Sequence, residues 1–302
     1  MSVDDLLGVA RERATEHASL AALTTYRVGG AARVLITLET FEDLLEVGPS
    51  LRASGLAVVV VGNGSNLLVA DGEHEIVAVH LGAGFAEIDW RDEGDVVVVR
   101  AGAALGLPVA ARRLVADGVV GFEWAVGVPG TVGGSVAMNA GGHGSDMAAS
   151  VAAVTLWREG LVSADAADLR FGYRESALVA GDIVLDATLH LRRGDAEMAR
   201  AALREIVAWR RVHQPGGANA GSVFRNPPGD SAGRLIESVG AKGLRRGSAA
   251  VSDKHANFIQ VDAGGRANDV YELARDVANR VREATGVELA FEHRLIGFEG
   301  EW

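Results

Sequence analysis

Three polar side chains sit where acid–base or anion chemistry could be done. Arg174 lies among small and aromatic residues in Phe171-Gly-Tyr-Arg-Glu-Ser176, and Ser222 is flanked by Gly221 and Asn226 in the loop Asn219-Ala-Gly-Ser-Val-Phe-Arg-Asn-Pro227. Glu292 and Arg294, two apart in an alternating segment, share one face, with Leu289, Phe291 and Leu295 on the other. None is decisive alone. Loop serines are mostly turn residues, Arg174 also suits a surface salt bridge, and charges on an open strand face are often simply solvated. No nearby histidine partners Ser222 as in a hydrolase triad, and no His/Asp/Glu spacing suggests a metal site.

Two glycine-rich stretches point to a ligand held by main chain. Between Gly127 and Gly144, seven of eighteen residues are glycine, and the rest are mostly Val, Ala and Met rather than loop-type polar residues. Glycine is favoured where backbone bends sharply or approaches a ligand closely. A tight interior turn would read the same way. Gly62-Asn-Gly-Ser-Asn66 follows a valine-rich run directly, and successive N–H groups in such a turn can cradle a phosphate oxygen, with Ser65 and Asn66 as further donors. Leu67-Leu-Val-Ala-Asp-Gly72 then reads as a short strand and turn, not the helix a Rossmann fingerprint opens. Two such turns far apart in sequence suit a long cofactor with a central diphosphate, a description FAD matches.

These residues need a scaffold, and 302 residues allow two or three domains. Ser2 with Asp5, and Thr40 with Asp43, resemble capping boxes opening helices over 2–13 and through the forties, the second interrupted by Pro49. Leu56–Val61, Val96–Val99, Val151–Leu156 and Ile183–Leu191 read as strands, with a helix around 104–117 between them. Residues 195–213 look helical. A short helix carries Leu235, Ile236 and Val239, and a longer one carries Val270, Leu273, Val277 and Val281 up to Gly286. Val287–Phe298 alternates as a last strand. The pattern is that of a mixed α/β (α+β) protein with a domain boundary near 194–200.

Composition narrows the function classes. The absence of cysteine excludes disulfides, iron–sulfur clusters and thiolate nucleophiles, so redox chemistry must use a borrowed cofactor. A net charge of −11 argues against general nucleic-acid or anionic-membrane binding. No apolar run is long enough for a membrane span, and the first residues lack a signal-peptide pattern, so a cytoplasmic location is expected. Within this acidic chain, residues 210–255 carry eight Lys/Arg against three acids. That is either a solvated face or an anion site.

Taken together, the order and spacing of the segments are similar to those of the UDP-N-acetylenolpyruvoylglucosamine reductases, flavoenzymes of bacterial peptidoglycan precursor synthesis. The resemblance covers nearly the whole chain. It runs through Thr24–Gly30, Gly62–Asn66, Gly121–Gly144, Phe171–Arg174, Asn219–Pro227, Ala241–Gly243, Ser252–Phe258 and Glu292–Arg294. It implies a flavin domain of the vanillyl-alcohol-oxidase type over 1–194, in subdomains of about 1–80 and 81–194, then an α+β substrate domain over 195–302. The length resembles the short form of the family. Gly142-His143 replaces a common Ala-Tyr, and Arg225 a common Lys.

The resemblance implies NADPH-dependent, FAD-mediated reduction of the enolpyruvyl ether of UDP-N-acetylglucosamine to UDP-N-acetylmuramate. NADPH would reduce the flavin first, and hydride would then reach the terminal methylene carbon. Arg174 and a protonated Glu292 would stabilise the resulting enolate, and Ser222 would protonate the carbon beside the carboxylate. FAD would be held by Gly62, Asn63, Gly64, Ser65, Asn66 and Leu67, and by Gly127, Pro129, Gly130, Thr131, Gly133, Gly134, Met138, Asn139 and Ala140. Substrate contacts would be Tyr173, Arg210, Arg225, Asn226 and Arg294, with Arg234 and Lys242 as weaker candidates. The expected partners are the sugar nucleotide and NADPH, with no nucleic acid, membrane insertion or obligate protein partner. Another flavin oxidoreductase of this fold acting on a sugar or hydroxy acid, and a nucleotide-sugar sensor without turnover, are the alternatives. The first does not explain the Asn219–Ser222 loop and basic cluster as well, and the intact Arg174, Ser222 and Glu292 argue against the second.

Overall fold

The computed structural model describes residues 2–298. Met1 and residues 299–302, at the outer ends of the two expected domains, lie outside the described residues. The chain divides into two compact units. One comprises Met1–Glu16, Arg33–Asn63 and Glu75–Arg210, and the other His17–Ala32, Gly64–His74 and Arg211–Trp302.

The first unit is built on an antiparallel sheet ordered Leu161–Asp165, Val151–Trp157, Ile183–Arg193, Val96–Gly102 and Ile88–Glu93. Val119–Val120 pairs with the end of the long central strand. Val97, Val99, Ala101, Ile183, Leu185, Ala187 and Leu189 are buried in one core with Leu107, Leu114, Val132 and Val136. The valine-rich runs are strands because β-branched side chains pack well on a half-buried pleated surface. A four-stranded sheet has the order Ala14–Ser19, Ala31–Leu38, Glu73–Leu81, Ala57–Val60, and its last pair is parallel.

Both expected capping boxes form. Ser2 and Asp5 exchange side-chain-to-backbone bonds at the start of Val3–Ala10, as do Thr40 and Asp43 at the start of Phe41–Ala53. The first α-helix ends at Ala10 and tightens into a 3-10 turn, Arg11–Arg13. Pro49 does not interrupt the second helix, which runs to Ala53. Proline removes the bond to the carbonyl of Leu45, and Leu45 is on the exposed side, where water can take that carbonyl. Gly48 meanwhile packs directly on the Trp157 indole.

The second unit centres on the helix Ala267–Thr285. Its stripe Val270, Leu273, Ala274, Val277 and Val281 is buried with Leu235, Ile236, Val251, Ile259 and Val261. Gly286 ends it in a left-handed conformation (φ 74°), and its N–H donates to the Arg282 carbonyl. Beside it lie an antiparallel sheet of Arg245–Arg246, Ala249–Val251 and Ile259–Val261, and a parallel pair, Leu67–Val69 with Arg294–Ile296. The segment 287–298 therefore contributes only a three-residue strand plus one isolated bridge, Phe224 to Phe291. Its alternation does hold locally, since His293 and Leu295 are buried and Arg294 is exposed.

Candidate functional site

In the first unit the two glycine segments touch. The Asn63 side chain donates to the Pro129 carbonyl at 3.0 Å. A Cβ on Gly62 would lie 2.5 Å from Thr131 Oγ1, so glycine is required for that approach. Thr131 caps the helix Val132–Ala137 by accepting from the Gly134 N–H, while the Val132 and Gly133 N–H groups donate to the Leu105 and Ala103 carbonyls. Gly134 is exposed, and a Cβ there would meet nothing closer than Thr131 Oγ1 at 3.5 Å. Around Gly142 there is open space. Exposed main chain at Gly134 and open space at Gly142, in the segment whose Thr131 packs on Gly62, leave room for a flat ring system, so the residues fit FAD.

Met138 and Ala140 are half-buried and Asn139 is wholly buried. The Asn139 side chain is fully used. Its Nδ2 donates to the Gly172 carbonyl at 2.8 Å and to Asp146, and its Oδ1 accepts from the Ala148 N–H. It is the peg that holds the Arg174 turn. Gly172 and Glu175 pair across this turn, and Arg174 has φ 60°, a conformation non-glycine residues adopt only when the surroundings enforce it. Arg174 donates to the Gly141 carbonyl at 3.0 Å and lies 5.4 Å above the Tyr173 ring. Ser176 Oγ donates to the Ala137 carbonyl. The expected cofactor segment and the expected cation are thus one mechanical piece.

His143 occupies the first position of a two-residue hairpin turn, with φ 53° followed by Gly144 at 87°. Its ring packs over Gly127 and meets Trp209 edge-on at 5.1 Å. Burial and then the Arg210 charge hold its pKa below the usual histidine value, and burial lowers that of Arg210.

In the second unit, Gly64 (φ 55°) comes so close to Leu23 and Thr24 that a Cβ would strike backbone at 2.1 Å. Ser65 and Leu67 are half-buried. Asn66 is not a spare donor. Its Nδ2 donates to the Glu292 carbonyl at 3.0 Å, and its own carbonyl accepts from the Arg294 N–H at 2.9 Å. The Ser222 loop is held from three directions. Asn219 caps it by accepting from the Gly221 N–H and donating to the Gly216 and Gly217 carbonyls. Buried Asn257 takes both backbone groups of Phe224, and the Val223 carbonyl accepts from the Glu292 N–H at 2.8 Å. Ser222 itself is half-buried. Asn226 accepts from the Ala232 N–H at the start of the next helix, which Ser231 caps.

The basic region is mostly a solvated face. Arg234 pairs with Asp230, Lys242 with Glu237, Arg245 with Asp262, and Arg246 with Glu272 and Asp276. Two cations behave differently. Arg225 Nε is buried and has no hydrogen-bond partner among the described residues. Arg294 is exposed as a residue, yet neighbouring protein atoms desolvate its guanidinium, and this together with the Arg225 charge pushes it below the usual arginine value. Two guanidinium groups held in each other's field are a seat for an anion. Asn257 had no role in the sequence reading. Its one local signal is an amide side chain set between Ala256 and Phe258, because a buried asparagine must satisfy itself inside the core.

Comparison with known proteins now decides the lineage. An FAD binding domain matches residues 32–160, and the C-terminal domain of UDP-N-acetylenolpyruvoylglucosamine reductase matches 213–296. The reductase of Acidiphilium cryptum is 42% identical over 92% of this chain and 89% of its own. The chain belongs to the UDP-N-acetylenolpyruvoylglucosamine reductase family. The Granulibacter bethesdensis reductase is 38% identical, covering 97% of this chain and 94% of its own. The crystal structure of the Thermus caldophilus reductase superposes with a TM-score of 0.79 at 37% identity, covering 92% of this chain and 97% of that one. Membership makes this chain an FAD-dependent oxidoreductase, with the flavin domain and reductase C-terminal domain expected from its sequence. No helix among the described residues is long and apolar enough to cross a membrane, and no cluster of His, Asp and Glu among them could hold a metal ion.

Proposed function

We propose that this chain reduces the enolpyruvyl ether of UDP-N-acetylglucosamine to UDP-N-acetylmuramate with NADPH, in the cytoplasmic synthesis of peptidoglycan precursor. Bound FAD supplies the two-electron carrier between NADPH and the enol ether. The residues expected around it are Gly62–Leu67 and those named between Gly127 and Ala140, within a flavin domain over 1–194. Residues 195–302 then handle the sugar nucleotide.

Arg174 and a protonated Glu292 stabilise negative charge as it builds on the carboxylate-bearing fragment. Ser222 Oγ gives its proton to the carbon beside that carboxylate. Arg225 and Arg294, with Arg210, Asn226 and Tyr173, bind the anionic sugar nucleotide. The observation that carries the substrate class is buried Arg225 Nε, which has no hydrogen-bond partner among the described residues, with a charge that is felt at Arg294. A hydroxy acid or neutral sugar gives such a pair less to do than a diphosphate does.

The test is product analysis under nitrogen in deuterated water. UDP-N-acetylmuramate carrying one solvent deuteron at the carbon beside the carboxylate, with one NADPH consumed per product, is expected. NADPH oxidation without that product, or an alcohol oxidation yielding peroxide in air, contradicts the assignment.

A further inference from the structure

The hairpin turn at His143 meets the helix Ala196–His213 within the first unit, and the proposed chemistry gives that meeting no task. Gly141–Gly142 pairs with Ser145–Asp146, and both turn residues between them, His143 and Gly144, have positive φ. Asn, Asp or Gly is favoured at the first position of such a turn, because other side chains are strained there. A histidine holds that conformation when its ring is gripped by its surroundings.

The grip comes from two elements. A Cβ on Gly127 would lie 3.0 Å from His143 Cδ2 and 3.1 Å from Ile206 Cγ2, so the ring and the helix close on the same patch of bare main chain. Trp209, about one turn after Ile206, meets the His143 ring edge-on at 5.1 Å with the ring planes at 90°. One joint therefore ties the hairpin and the Gly127 turn to the helix.

What the joint carries is Arg210. Ala199, Leu203, Ile206 and Arg210 follow the spacing of one helix face, the first two buried and the last two half-buried. Arg210 thus stands where this stripe would place its next apolar residue. Its charge reaches the imidazole and, after burial, helps to keep that ring neutral. On the same hairpin, the Gly141 carbonyl accepts from Arg174 at 3.0 Å. The hairpin 141–146 is therefore held by Arg174 at its base and by the Arg210 helix at its tip.

We propose that His143 and Trp209 are positioning residues whose ring contact, seated on Gly127, fixes Arg210 and sets its placement relative to Arg174. The proposal rests on Arg210 being a contact of the sugar nucleotide. Neither ring touches the reacting atoms. Without the joint the helix face lifts from the Gly127 turn, and Arg210 meets its anion in fewer of the conformations it samples.

The test is a double-mutant cycle on the flavin-loaded full chain, with His143→Ala, Arg210→Met and the two combined. KM and saturating rate are read for UDP-N-acetylglucosamine enolpyruvate. His143→Ala should raise this KM about 5- to 10-fold at an unchanged saturating rate, part of the roughly 10- to 100-fold expected on losing the cation itself. In the Arg210→Met background, His143→Ala should add nothing. His143→Tyr, which restores a ring, should recover most of the affinity. Trp209→Leu reaches the joint from the helix side and should reproduce the KM increase, so it decides the matter if His143→Ala fails to hold flavin. Acrylamide quenching of Trp209 fluorescence, taken against Trp209→Phe, should rise in His143→Ala. Additive KM effects of His143→Ala and Arg210→Met, or a wild-type KM in Trp209→Leu with unchanged quenching in His143→Ala, would overturn the proposal. If Arg210→Met itself leaves the KM unchanged while quenching rises, the reading of Arg210 as a substrate contact fails instead, and the two failures are told apart.

Discussion

The backbone N–H of Glu292 donates to the carbonyl of Val223 at 2.8 Å. One hydrogen bond therefore zips the segment bearing the expected carboxyl acid to the loop bearing the expected proton donor. Around it, Phe224 bridges to Phe291, and the Arg225 N–H reaches the Ala290 carbonyl. Relative placement of the two groups is a backbone property, not a matter of flexible side chains.

Arg225→Met should weaken binding of the sugar nucleotide. Charge-assisted hydrogen bonds contribute about 1.5–3 kcal/mol, so a KM increase of roughly 10- to 100-fold is expected. The KM for NADPH should stay unchanged. Steady-state kinetics with each substrate varied in turn checks this, and equal increases for both would remove Arg225 from the sugar-nucleotide site.

Asn257→Ala should destabilise the second unit. The substitution strands the N–H and carbonyl of Phe224, which is almost fully buried. At about 1–3 kcal/mol for each unsatisfied buried group, the loss should be roughly 2–6 kcal/mol in urea unfolding. A loss below ~1 kcal/mol would mean that the Phe224 backbone finds other partners.

Acid should destabilise the protein through His293, whose pKa burial lowers from 6.5 to about 4. Below pH 6.5 the unfolded chain takes up a proton that the folded chain refuses until about pH 4. Stability from this residue is therefore complete above 6.5 and falls as pH drops through that window, by up to about 3 kcal/mol. Denaturation measured from pH 7 to pH 4 should show a shallower decline in His293→Phe. Parallel curves for the two proteins would rule the effect out.

Much of this was legible in the chain because it is local. Ser2 with Asp5 and Thr40 with Asp43 announce helix starts within four residues, and Gly286 announces a stop. The glycine runs and the Ser222 loop carried enough ordered detail to reveal the family. Non-local pairing was harder to read. The role of Asn66 depends on Glu292 and Arg294, more than 220 residues away. Ala31–Leu38 and Glu73–Leu81 become strands through neighbours distant in sequence, and the alternation after Val287 mostly reflects side-chain burial without sheet pairing. Ion pairing likewise turned most of the basic segment into a surface, leaving Arg225 and Arg294 as the informative cations.

The most direct test separates the two halves of the reaction in Ser222→Ala by stopped-flow absorbance at the flavin band. NADPH should bleach the flavin at the wild-type rate, and adding UDP-N-acetylglucosamine enolpyruvate under nitrogen should then fail to restore the colour. Restoration at the wild-type rate, or loss of the NADPH step together with it, would contradict the role of Ser222 as proton donor to the substrate.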